Sequence, residues 1–294
     1  MKSLFSIAML VIIIASCQKN NGASVSGQPA SSTPALIRSD MTSTTVTTEA
    51  ALKAAVAAAK AGDIITISGT INLTSTLQLL NSGTSGSKIN ISGGTLNCAG
   101  VGAGNWGVKV NGSWWNIQNI HITKSPDAGI VFQTGGNNYV NNLTTDYNGD
   151  TGLQVYNGAF NVSVNNCHSS QNYDVANAGE NADGIDVKLS SGSGNTITGC
   201  TSTFNSDDGY DLYGNPYPVI ITNCTANNNG KGANGDGNGF KLGSSGQNMH
   251  HKITNCSASN NSPGWGFTRN GNAKGAVTYS GLTGSGNARG LIDL

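Results

Sequence analysis

The sequence predicts an all-β protein, a right-handed parallel β-helix in which three-stranded coils stack as a solenoid behind a short amino-terminal capping α-helix. Three observations point there. Short alternating apolar runs recur about every two dozen residues. Glycine (41) and asparagine (38), the residue types that turn a backbone most readily, fill roughly a quarter of the 294 positions. One segment alone carries a helical signal. Collagen is excluded, because the glycines keep no three-residue period and proline numbers only 6. Disorder fits poorly with 37% hydrophobic residues arranged in alternation. With 15 basic and 15 acidic side chains the chain is formally neutral, so net charge gives no basis for a nucleic-acid partner.

Each segment follows in order. Lys2, the apolar run Leu4 to Ala15 and the sequence Ile14-Ala15-Ser16-Cys17 read as an export signal over residues 1–16 that ends in a lipobox. The expectation is an exported bacterial chain, held at the envelope, the outer membrane being favoured, by a lipid on Cys17 and touching the membrane only there. Residues 17–40, rich in Ser, Gly, Asn and Thr, read as a flexible tether. The folded body, expected to be a monomer, is residues 41–294. Thr47-Thr48-Glu49 followed by Ala50 to Ala61 predicts the helix, with Gly62 as its stop, and Asp63 to Ile67 predicts a strand.

From there on, the apolar or cysteine residue closing each strand serves as an anchor: Leu96, Ile120, Leu143, Cys167, Cys200, Cys224, Cys256 and Leu282. Asparagine stands five residues beyond most of them, and a glycine then opens the next strand, as at Gly184, Gly209 and Gly239. Three short strands per unit without a helix mark a β-helix; leucine-rich repeats need more leucines than the chain supplies. Two coils are longer, through insertions at Tyr173 to Ala182 and Lys231 to Asn238, which are expected to flank a shared groove. The cysteines at 167, 200, 224 and 256 should form one inward row of free thiols. They are too far apart for zinc, while a disulfide between neighbouring coils stays open.

Charge concentrates in the same register. Asp183 and Asp208 precede their strand-opening glycine by one residue and Asp207 by two, while Asp186, Asp211 and Lys241 follow theirs by two. Five of the 15 acidic residues thus gather on one face of two coils. Carboxylates packed this closely need a cation among them, and their hard oxygens suit calcium.

The stretches Asn181-Ala182-Asp183-Gly184, Asn205 to Leu212 and Gly237 to Gly243 resemble the active-site coils of the family 9 pectate lyases, over roughly residues 160–270. The resemblance implies that Asp183, Asp207, Asp208 and Asp211 hold a catalytic Ca2+ and that Lys241 is the base. The substrate would be pectate or a related acidic polysaccharide, cut by β-elimination. Lysine serves as base only when neutral, so alkaline-favoured, calcium-dependent activity is expected. Tyr210 stands where the family pattern suggests tryptophan, and Asp186 adds an acid where it suggests a neutral residue. Lys188 and Arg269, near the same face, are candidates for pairing with substrate carboxylates, with Asp186 affecting the fit. Of His250 and His251, one is expected in solvent and the other against the packing. Trp114, Trp115 and Trp265 are candidates for sugar stacking or for the core. A glycoside hydrolase using paired carboxylates and a non-catalytic glycan-binding surface protein remain as alternatives.

Overall fold

The computed structural model describes residues 41–294; the leader, Cys17 and the tether lie outside the described residues. Parallel strands pair coil to coil in three sheets of ten, nine and eight strands. In one coil Tyr139–Asn141 belongs to the ten-stranded sheet, Thr144–Asp146 to the eight-stranded and Leu153–Tyr156 to the nine-stranded. The next coil then begins with Ser163–Asn165 beside Tyr139–Asn141. The family-independent reading of a three-stranded coil is thereby met.

Alternation along each strand places one column of side chains inside. Val140, Val164, Ile197, Ile221 and Ile253 are register partners and all are buried. In the nine-stranded sheet the inward column is Ile130, Leu153, Ile185, Tyr210, Phe240 and Phe267. Its three rings stack at 4.4 and 4.6 Å, so Tyr210 is a core residue and its ring is remote from the cleft face.

The turn chemistry explains the asparagines. Asn119, Asn142, Asn166, Asn223 and Asn255 have left-handed φ between 53° and 56°, or 50° at Asn166, immediately before the inward anchor. Asparagine tolerates that conformation better than other residues with a Cβ. A second row is interior except at its half-buried carboxy-terminal end, Asn287: Asn148, Asn172, Asn205, Asn229, Asn261 and Asn287 form a ladder of amide hydrogen bonds, Nδ2 to the next Oδ1, at 2.9–3.0 Å. Each Oδ1 also accepts the backbone N–H of the preceding ladder residue. Strand-opening glycines are required by close approach rather than by φ. A Cβ on Gly209 would stand 2.6 Å from the carbonyl oxygen of Gly239.

The cysteine row is interior and unbridged. Cys167, Cys200, Cys224 and Cys256 are free and buried, and each of the last three sulfurs accepts the N–H of the cysteine one coil earlier at 3.3–3.4 Å. Hydrogen bonding to the preceding cysteine, with burial, raises Cys200 and Cys224 to about 12, whereas the hydrogen bond with Cys200 lowers Cys167.

One strand was not foreseen and three expectations need correction. A strand, Ser43–Val46, precedes the helix and pairs with Ile64–Ile67; its Ser/Thr-rich sequence conceals it. The helix spans Glu49–Ala58, capped by Thr48 at Ala51 N–H. It stops short of Ala61 because the Asn81 amide takes up the carbonyls of Val56, Ala57 and Ala59. Leu96 is not in the anchor row, for it lies mid-strand opposite Ile122. The two insertions meet one another instead of standing apart: Asn234 N–H donates to Ala178 O, Gly232 N–H to Ser206 O, and Ser206 Oγ to Gly179 O. They close over the uninserted coil between them and build one wall.

Candidate active site

Strands Ile185–Val187, Tyr210–Asp211 and Phe240–Lys241 are neighbours in the nine-stranded sheet, and Asp186, Asp211 and Lys241 are direct register partners. Since Ile185, Tyr210 and Phe240 point inward, alternation turns the charged row to the outer face. Asp183, Asp207 and Asp208 reach this face from the turns that lead into the strands. One oxygen from each lies within 4.8 Å of the others. Of the four aspartates assigned to calcium, three therefore converge. The fourth, Asp211, stands between two lysines, 3.6 Å from Lys188 Nζ and 3.9 Å from Lys241 Nζ.

Backbone donors hold the trio. Asp207 accepts from the N–H groups of Asn181 and Asp236, Asp208 Oδ1 from Asn238, and Asp183 Oδ1 from Asp208 N–H. One buried oxygen, Asp186 Oδ1, has no hydrogen-bond partner, and Asp208 Oδ2 meets only the Lys241 ammonium, without hydrogen-bond alignment. Buried lone pairs left this way are costly, and hard, unsatisfied carboxylate oxygens fit a divalent cation.

Two ammonium groups balance part of the charge. Lys188 lies within the cluster, 2.8 Å from Asp183, 3.2 Å from Asp186 and 3.6 Å from Asp211. Asp186 is further held by Thr151 Oγ1 and Gln154 Nε2. Lys241 Nζ is 3.1 Å from Asp208 and 3.0 Å from Asp236. Asp236 was not anticipated, since its loop has no strand register; the usable signal was an acid three residues before Gly239 in an inserted loop. Lys188, Lys241, Asp207, Asp211 and Asp236, with Gln154, Glu180, Asn181 and Tyr213, line a cleft of about 460 Å3, with Asp183, Asp186 and Asp208 buried behind them. Arg269 does not line it, and among the described residues it has no ion pair. His250 is exposed while His251 is buried, its Nδ1 accepting from Val219 N–H. Trp115 belongs to the core.

Burial dominates the electrostatics. It raises Asp183 to about 6, Asp186 and Asp208 to about 7 and Asp207 to about 9. Burial alone would lower Lys241, but Asp208, Asp211, Asp183 and Asp207 outweigh it and hold the proton on. Lys188 is raised in the same way by Asp183, Asp186 and Asp211. A carboxylate whose folded pKa is raised contributes stability that is complete below its unfolded value and lost as pH climbs through the folded one. Both lysines stay protonated over that range, and His251, depressed to about 4, acts only at lower pH. In chelator, the melting temperature should therefore fall between pH 7 and 9, and added calcium should flatten the decline. A calorimetric midpoint that rises over this interval would count against the cluster's burial.

The fold and cleft define a parallel β-helix with an aspartate–lysine site on one sheet face. The chain belongs to the family described as Pel9A-like, right handed beta helix region, whose model matches residues 37–291. It is 36% identical over 202 residues to pectate lyase L of Paenibacillus polymyxa (strain SC2), covering 62% of this chain and 44% of that protein. It is 35% identical over 178 residues to pectate lyase L of Dickeya chrysanthemi, covering 58% and 41%. The chain thus spans less than half the length of these curated relatives. The crystal structure of pectate lyase Pel9A superposes with a TM-score of 0.71 at 32% identity, over 77% of this chain and 61% of that one. A rhamnogalacturonan lyase shares the fold, with a TM-score of 0.61 at 23% identity over 69% of this chain and 61% of that one.

Proposed function

We propose that this chain is a calcium-dependent lyase that cleaves polygalacturonate, or a related uronate polymer, by β-elimination. The observation that carries this reading is Lys241, buried in the cleft among carboxylates that suit a cation. Asp183, Asp207 and Asp208, with Asp211 beside them, would hold Ca2+, which supplies positive charge to the substrate's C6 carboxylate and to the aspartates around Lys241. Lys241 Nζ takes the C5 proton, the C5–H electrons form the C4–C5 double bond, and the C4–O4 bond breaks. O4 leaves as the new chain end and takes its proton from solvent. Asp208 and Asp236 orient the Lys241 side chain. Lys188, held by Asp186, sits where it can meet a second carboxylate of the substrate. Because the aspartates keep Lys241 protonated, activity should rise with pH.

The export signal and the lipobox at Cys17 support a place at the bacterial cell envelope, with the acidic polymer as partner. The test is incubation with polygalacturonate in calcium and in excess chelator, following the ultraviolet absorbance of the unsaturated product. A rising signal abolished by chelator is expected; hydrolysis without a new double bond would replace the lyase reading with a hydrolase.

A further inference from the structure

The row that carries Lys241, Asp211 and Asp186 continues on the same sheet toward the amino-terminal coils through Gln154, Val131 and Lys109. Lys109 lies three strands from Asp186, about 14 Å at ordinary strand spacing. Beside it the surface changes character. Trp106, in the loop before Val108–Val110, meets Tyr156 edge-on with ring centroids 6.4 Å apart, and Lys109 Nζ lies 5.2 Å from the Trp106 ring. The two rings come from the coils on either side of Val131, which is buried yet stands outside the core cluster. Trp106, Lys109 and Tyr156 are themselves half-buried, each keeping part of its surface open. Tyr156 is two residues beyond Gln154, a residue of the cleft lining, so the strip and the cleft are continuous.

An aromatic ring beside a fixed ammonium is the combination that receives an anionic sugar: the ring face takes the apolar C–H side and the cation takes the carboxylate. We propose that Trp106, Lys109 and Tyr156 form a distal subsite that holds a uronate unit of the bound polymer several sugars from the cleavage point. This rests on the uronate-polymer reading of the cleft. The Gln133 amide, hydrogen-bonded to Tyr156 Oη, fixes the tyrosine ring in place. A ligand of one or two sugars held at Lys241 cannot span the distance, so the subsite acts on chain length.

Binding and cleavage are read separately. Retardation in native gels containing polygalacturonate and calcium gives affinity, and absorbance gives product. Lys109→Ala and Trp106→Ala should each weaken polymer binding about tenfold, the equivalent of 1.4 kcal/mol, and weaken hexagalacturonate far more than digalacturonate. Lys109→Arg and Trp106→Phe should restore most of the loss. Lys109→Ala removes a half-exposed side chain, so it decides the matter even if Trp106→Ala unfolds. Alanine variants retarded like the wild type would overturn the subsite while product formation upheld the lyase. A wild type that is retarded without forming product would overturn the lyase reading, with the subsite still judged by the variants. A wild type that is not retarded would overturn the subsite, and one that also forms no product would overturn both.

Discussion

Lys241→Ala is expected to lower kcat on polygalacturonate by about 10²–10⁴-fold, the usual worth of a positioned general base, with the fold intact. The decisive companion is Lys241→Arg. Arginine preserves a positive charge beside Asp208 and Asp236 but does not deprotonate in proteins. If Lys241 works as a base, the arginine variant is as inactive as alanine; if it only supplies charge, arginine restores much of the rate. Steady-state kinetics over a pH series separates the two, because the wild type should gain activity as pH rises and a residual arginine activity should not follow that profile.

The second large effect concerns stability. Asn205→Ala removes the Oδ1 that accepts both the N–H and the Nδ2 of Asn172, at 3.2 and 2.9 Å, and removes the donor to Asn229. A buried donor left without an acceptor costs about 1–3 kcal/mol, so two of them predict a loss of about 2–6 kcal/mol in urea unfolding. That is a large share of the ~5–15 kcal/mol that separates folded from unfolded domains. A loss below about 1 kcal/mol would show that water takes over these bonds. The same change at Asn119, a solvent-side turn residue, should cost much less.

Both rows were legible in the sequence because a parallel coil converts spacing into position. Cys167, Cys200, Cys224 and Cys256 could be placed inside from their offsets, and Asp186, Asp211 and Lys241 could be placed side by side before any coordinate was known. Legibility failed where register fails. Asp236 belongs to an inserted loop whose path depends on contacts with the other loop, through Ala178 and Asn234. The Ser43–Val46 strand has little apolar pattern, because its partner Ile64–Ile67 and the helix cover one side only. The depth of Lys188 was hidden as well: a lysine two residues after Asp186 on the same strand face reads as surface until the neighbouring aspartates draw it in. Asp211 shows the reverse, its place in the row being right while its carboxylate stands between two lysines and outside the converging trio.

The direct pairing of Asp186, Asp211 and Lys241 across adjacent coils also limits how such a chain can change in length. A deletion or duplication of one complete turn on the amino-terminal side leaves the three partners opposite one another, because each coil touches only its neighbours. A one-residue slip of the whole strand Ile185–Val187 would instead rotate Asp186 into the interior and Ile185 into the cleft. Added residues are therefore accommodated as whole turns away from the site or as loops at the turns between sheets. The long stretch between Asn172 and Asp183 is of the second kind, and it gained its residues without displacing a single rung.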